Sequence, residues 1–237
     1  MFRWAIPVLV LVGFGSPAYA DLLQKCKKAG RVQERIDACT SIIVQAGESG
    51  PNLEQALYRR ALAHYRAKTY AAALDDLGRL LELRPDHYKA WDRRGVTYRK
   101  VGEADKAIAD QSKAISISPK YPKAYRNRGN AYFFKGETQK AIADFSRAIE
   151  LAPDYPNALN DRGAAYENLR LFRKAVEDYN RVVQLLPKNA DAYNNKGYAY
   201  HQLGDRSRAI ADYRKALELN PALVQPRENP KALGSGS

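Results

Sequence analysis

The sequence predicts an all-α fold in which antiparallel helix pairs stack into an α-solenoid, and three observations predict it. A short block recurs every 34 residues: Trp91-Asp92-Arg93-Arg94-Gly95, Tyr125-Arg126-Asn127-Arg128-Gly129, Leu159-Asn160-Asp161-Arg162-Gly163 and Tyr193-Asn194-Asn195-Lys196-Gly197. Small residues hold the same two places in every copy, Ala61, Gly95, Gly129, Gly163 and Gly197 at the first, Ala73, Ala107, Ala141, Ala175 and Ala209 at the second. A proline closes each copy, at Pro85, Pro119, Pro153, Pro187 and Pro221. Helices approach closely only where small residues meet at the crossing. Proline stops a helix because it lacks an N–H and clashes with the preceding turn. No copy can bury its apolar face alone, so stacking supplies the core.

The chain opens on residues that do not fit this period. Arg3 supplies a positive start, Trp4–Phe14 an apolar run, and Ser16–Ala20 a small-residue cleavage site, which together read as a signal peptide over 1–20. The run falls short of the roughly 20 apolar residues that a membrane span needs. The expectation is export to the periplasm, or secretion, from a Gram-negative bacterium, with no stable membrane insertion after cleavage. No cysteine stands directly after the expected cut, so no lipid anchor is expected. Residues 21–53 then read as a degenerate helix pair whose first helix ends near Gly30, with a turn at Gly47–Asn52.

Five regular pairs follow, over 54–87, 88–121, 122–155, 156–189 and 190–223. Gly102, Gly136 and Gly204 stand where a first helix must end in a left-handed turn. Residues 224–237 contain Pro226 and Pro230, lack a helical period and read as a flexible tail. No polar capping helix follows the last repeat. Apolar surface such as Leu217 is therefore expected to be bare unless the tail or a second subunit covers it, which makes this end a candidate homodimer contact.

A charge ladder runs through the copies. Arg60, Arg94, Arg128, Arg162 and Lys196 each stand sixteen residues before Asp76, Asp110, Asp144, Asp178 and Asp212. Each cation brings its own carboxylate, so the ladder reads as structural ion pairs rather than as an anion-binding row. The formal net charge of +13 favours acidic partners. Export and the lack of a base-reading motif argue against nucleic acid. The three histidines, His64, His87 and His201, have no metal-ligand spacing to one another or to a cysteine. No nucleophile elbow or phosphate loop occurs. No enzyme activity, cofactor or metal is expected.

The recurring aromatic, small residue, Tyr, Ala, aromatic and Pro resemble the tetratricopeptide repeat. The resemblance extends to small exported bacterial proteins of that family and covers nearly all of the chain after the leader. It implies a right-handed superhelix that binds protein or peptide partners, acting as a scaffold or adaptor through a concave face lined by the first helix of each pair. Transferred to this chain, that face carries a basic stretch of Arg59, Arg66, Lys89, Arg93, Arg99, Lys100, Lys123 and Arg126. Asn127, Asn130 and Phe133 follow, and then an amide-rich and acidic stretch with Asn160, Glu167 and Asn194. Such a groove suits an extended peptide with acidic segments. The alternative is an accessory of envelope polysaccharide assembly or export that binds an anionic glycan through the basic half.

Family members that grip a C-terminal carboxylate need further basic residues and an Asn downstream of the pair matched here by Arg126 and Asn130. Asp161, Asp191 and Asn195 stand at those places, so that activity is not carried over. Carried backwards, the frame begins at Ala20 and sets Cys26 and Cys39 at the small-residue crossing of a shortened pair. Helices are close enough there for a disulfide, and export places the chain where disulfides persist.

Overall fold

The computed structural model of the chain describes residues 16–28, 30–46 and 50–223. Most of the leader, the first half of the Gly47–Asn52 turn and the 224–237 tail lie outside them. Twelve α-helices and no strand occur among the described residues. The chain divides into two units, residues 1–103 and 104–237. The repeat at 88–121 gives one helix to each.

Unit 1 holds α1 (Pro17–Lys28), α2 (Val32–Ala46), α3 (Pro51–Arg66), α4 (Tyr70–Leu83) and α5 (Tyr88–Lys100), each packed on the next. Leu53, Leu57, Leu77 and Leu80 are wholly buried at its centre. Cys26 and Cys39 form a disulfide, with Cα atoms 4.8 Å apart, that ties α1 to α2.

The pairing matches the expectation, but the register at this end is one helical turn away from it. α2 begins at Val32, four residues before the place at which the Ala20 frame starts a second helix. Arg60 Nη1 donates to Thr40 Oγ1 at 3.0 Å, twenty residues back, where the equivalent bonds farther along the chain span sixteen. The correction moves both cysteines off the small-residue crossing. They occupy the places that bulky aromatic residues such as Tyr132 and Phe145 fill in later repeats. It also brings Tyr19 to the aromatic position of the first helix, where it is 3% exposed and its hydroxyl accepts from Asn52 Nδ2 at 3.3 Å. The reason is that four extra residues separate α2 from α3, so counting in steps of 34 fails across that turn.

Unit 2 holds α6 (Ala104–Ile117), α7 (Pro122–Phe134), α8 (Thr138–Leu151), α9 (Pro156–Asn168), α10 (Phe172–Leu185), α11 (Ala190–Gln202) and α12 (Arg206–Leu219). Successive helices pack on one another. Proline begins α7 and α9, at a position where a missing N–H costs nothing. Asn189 caps α11 and Asp205 caps α12, each side-chain oxygen accepting from a backbone N–H three residues on. At the end of α7, Gly136 takes φ 78°. The Glu137 N–H can then reach back to the Tyr132 carbonyl at 2.9 Å, which closes the helix.

The small-residue rule holds in atomic detail. A Cβ added to Gly129, Gly163 or Gly197 would stand 2.6, 2.7 or 2.9 Å from the ring of Phe145, Tyr179 or Tyr213, all of which are wholly buried. The charge ladder is structural in both units. Arg60–Asp76, Arg128–Asp144 and Arg162–Asp178 are bidentate, and Lys196 reaches Asp212 at 2.9 Å. The aspartates are buried. A third bond carries the arginine of α7 to Ser112 of α6 and that of α9 to Ser146 of α8, both at 3.0 Å, so each ion pair also locks one repeat to the preceding one. At the last helix, Leu217 is half-buried rather than bare, and α12 presents no large exposed apolar side chain among the described residues.

Candidate functional site

In unit 2 the first helices α7, α9 and α11 touch one another as well as their partners, and they carry the candidate residues of this half. Arg126 Nε donates to Asp161 Oδ2 at 2.6 Å, from α7 to α9. Asn130 Nδ2 donates to the same oxygen at 3.1 Å. One turn of the stack farther on, Asn195 of α11 donates to Asn160 Oδ1 of α9 at 3.3 Å. Burial, the largest influence on Arg126, works against its charge. The Asp161 carboxylate and Tyr155 outweigh it and hold the guanidinium above its ordinary value. Arg126, expected on the partner-binding face, is braced there by Asp161, with 25% of its side chain exposed against 19% for Asp161.

Beside this brace lies a cavity of about 270 Å³ lined by Phe133, Ala164, Glu167, Asn168 and Tyr198. Two aromatic side chains from α7 and α11 frame it, and α9 supplies an acid and an amide. Asn168 is exposed, and its Oδ1 accepts from Thr138 Oγ1 at 3.0 Å, which leaves its Nδ2 directed elsewhere. An arrangement of aromatic walls, an amide donor and a carboxylate can seat one side chain and bond the backbone of an extended segment.

In unit 1, Arg59 lines a smaller cavity of about 190 Å³ with Glu54, Gln55, Tyr58, Leu62 and His87, where the Tyr58 and His87 rings lie 5.3 Å apart. Its Nη1 also reaches the Lys27 carbonyl at 3.5 Å. Arg66, Lys89 and Lys100 are exposed at the helix surface, as is Lys123 in unit 2. Arg93 and Arg99 are half-buried on α5, and the Nε of each is buried without a hydrogen-bond partner among the described residues. Asn127 and Asn194 are half-buried on α7 and α11 and line neither cavity.

Of the expected residues, the structure therefore gathers Arg126 and Asn130 around Asp161, Phe133 and Glu167 around one cavity, and Asn160 against Asn195. Sequence reasoning passed over Ala164 and Tyr198. The available signal was their place in the repeat, the same as that of Asn130. Among the described residues no helix is long and apolar enough to cross a membrane, and no group of three or more His, Cys, Asp and Glu side chains could hold a metal ion.

Family models described as tetratricopeptide repeats match the chain at 55–87, 122–155 and 190–223, and a further TPR repeat model matches 95–136 and 172–204. Among solved structures, the crystal structure of MamA is similar at 27% identity and TM-score 0.63, over 68% of this chain and 94% of that one. A thermophilic TPR protein of Thermus thermophilus is similar at 24% identity and TM-score 0.61, over 76% and 98%. YrrB, described as a TPR protein with an unusual peptide-binding site, is similar at 21% identity and TM-score 0.60, over 79% and 94%. The last two share the fold. No curated protein matches the sequence significantly.

Proposed function

Because the chain is a tetratricopeptide repeat protein, we propose that it is a binding scaffold that holds an extended segment of a partner protein against the first helices of its repeats, α7, α9 and α11 in particular. The observation that carries this reading is the cavity between Phe133 and Tyr198, placed beside the prebuilt Arg126–Asp161–Asn130 brace. The brace matters because groups already bonded to one another lose little further freedom when a ligand arrives. The test is crosslinking in native extract followed by a comparison of wild type with the double variant Phe133→Ala, Tyr198→Ala. A protein partner held by the wild type and released by the variant supports the reading. Capture that is indifferent to both residues sinks it.

A second reading rests on α5. Arg93 and Arg99, each with an Nε unpaired among the described residues, suit an anionic glycan better than the braced Arg126 does. Salt-sensitive retention of envelope polysaccharide that is lost on charge reversal of Arg93 and Arg99, without any protein partner, favours that reading instead.

Export belongs to the same proposal. The leader pattern supports it, and so does a buried disulfide, which persists in oxidising compartments. N-terminal sequencing of the protein from periplasmic and cytosolic fractions checks it. An intact Met1 confined to the cytosol is the adverse result.

A further inference from the structure

Unit 2 carries a second concavity, away from Phe133 and Tyr198, formed by the turns that join α9 to α10 and α11 to α12. Its volume is about 330 Å³, and it is lined by Arg170, Leu171, Phe172, Arg173, Lys174 and Leu203. Leu171 and Leu203 are 41% and 40% exposed, among the most exposed large apolar side chains described.

The charges around it are not paired as many other arginines of this unit are. Arg126, Arg128, Arg162, Arg181 and Arg208 each hold a carboxylate within 2.9 Å. Arg170, Arg173 and Lys174 hold none among the described residues. Two of them lie over aromatic faces, Arg170 5.6 Å from the Phe172 ring centroid and Lys174 5.6 Å from that of Tyr166. Three uncompensated cations thus rim an apolar hollow.

The backbone adds an independent observation. Arg170 has φ 58° at the repeat position where Gly102, Gly136 and Gly204 take 87°, 78° and 77°. Glycine is the comfortable residue for that conformation, and a long side chain there costs stability. Lys68 takes the same conformation, φ 62°, at the matching place of the 54–87 repeat, so the fold tolerates a long side chain here. At Arg170 the conformation places a guanidinium at the rim of the hollow.

We propose that this hollow is a docking site for an acidic protein segment, in which one bulky apolar side chain enters between Leu171 and Leu203 and flanking Asp or Glu residues meet Arg170, Arg173 and Lys174. A concave apolar floor with a charged rim is how a protein interface seats an anchor residue. A lipid surface calls for apolar groups that protrude instead. The site goes beyond the concave-face reading and does not depend on it.

The test uses the full chain and a fluorescein-labelled synthetic peptide with one Leu and one Phe among Asp and Glu, read by fluorescence anisotropy. Binding is expected to weaken roughly tenfold for Arg170→Gly and for Leu203→Glu. Arg170→Gly is expected at the same time to melt no lower than wild type, because it relieves the left-handed residue. That separates lost docking from lost folding. Lys68→Gly, the same exchange at φ 62° in the other unit, should leave peptide binding unchanged. Equal binding of a control peptide with Ser for Leu and Phe would overturn the proposal. So would indifference to Arg170→Gly and Leu203→Glu, absence of peptide binding, or retention only by phosphatidylglycerol vesicles.

Discussion

Phe145 lies so close to Gly129 that a Cβ on the glycine would stand 2.6 Å from its ring, with the Ala141 carbonyl at 3.2 Å behind. The ring is wholly buried and the carbonyl is backbone, so neither can retreat cheaply. Overpacking of this kind costs about 1–3 kcal/mol, which outweighs the roughly 1 kcal/mol of helix propensity that Ala gains over Gly. Gly129→Ala is expected to unfold at lower urea concentration than wild type. Gly78, within α4, has nothing within 4 Å of its missing Cβ, so Gly78→Ala should move the midpoint the other way. Equal midpoints for the two variants would show that close packing does not explain the repeated small residue.

The same contact shows how much could be read in advance. Small residues, aromatics and prolines at a fixed spacing were enough for the helix pairs, their ends and the sixteen-residue ladder, because each of those features depends on residues within one repeat. Features that join repeats were harder. Arg126 meets Asp161 because helix stacking sets α7 beside α9, and spacing alone does not say which charged faces meet. Tyr198 was overlooked because a tyrosine at that position recurs nowhere else in the array. The register of α1 and α2 is missed because four extra residues precede α3, and reading residues 16–20 as leader removes Tyr19, the aromatic that would have shown the shift.

Gln111 occupies the place held by Phe145, Tyr179 and Tyr213 in the following repeats, and like them it is 0% exposed. Its Nε2 and Oε1 are both buried without a hydrogen-bond partner among the described residues. An unmet buried amide costs about 1–3 kcal/mol, and an aromatic ring restores the pattern that the other repeats use. Gln111→Phe is therefore expected to raise the melting temperature. A fall would mean that the amide serves a purpose beyond filling space.

Tyr19 gives the leader a structural consequence. A cut after Ala20 removes this buried ring and the first turn of α1, while a chain beginning at Ser16 keeps both. Burial of one large side chain contributes about 1.5–3 kcal/mol, so the form beginning at Asp21 should unfold that much more easily in urea. The disulfide remains in both forms, which confines the difference to Tyr19 and its turn. Identical curves would show that Tyr19 adds nothing to the core.

His64 links stability to pH. Burial is the largest influence on its ring and lowers its pKa below the ordinary value, with Arg60 acting in the same direction and Asp76 opposing. Its Nδ1 lies 2.9 Å from Thr69 Oγ1 at the end of α3. A histidine whose folded pKa is depressed is neutral in the native state under conditions where the unfolded chain already binds a proton. Its contribution is full above the unfolded value of about 6.5 and is lost as pH falls through the lower folded value. Unfolding free energy should therefore decline across that window, and His64→Gln should flatten the decline without changing the curve above it. NMR titration of the His64 ring gives the direct check, and a midpoint at or above that of unfolded histidine would refute the assignment.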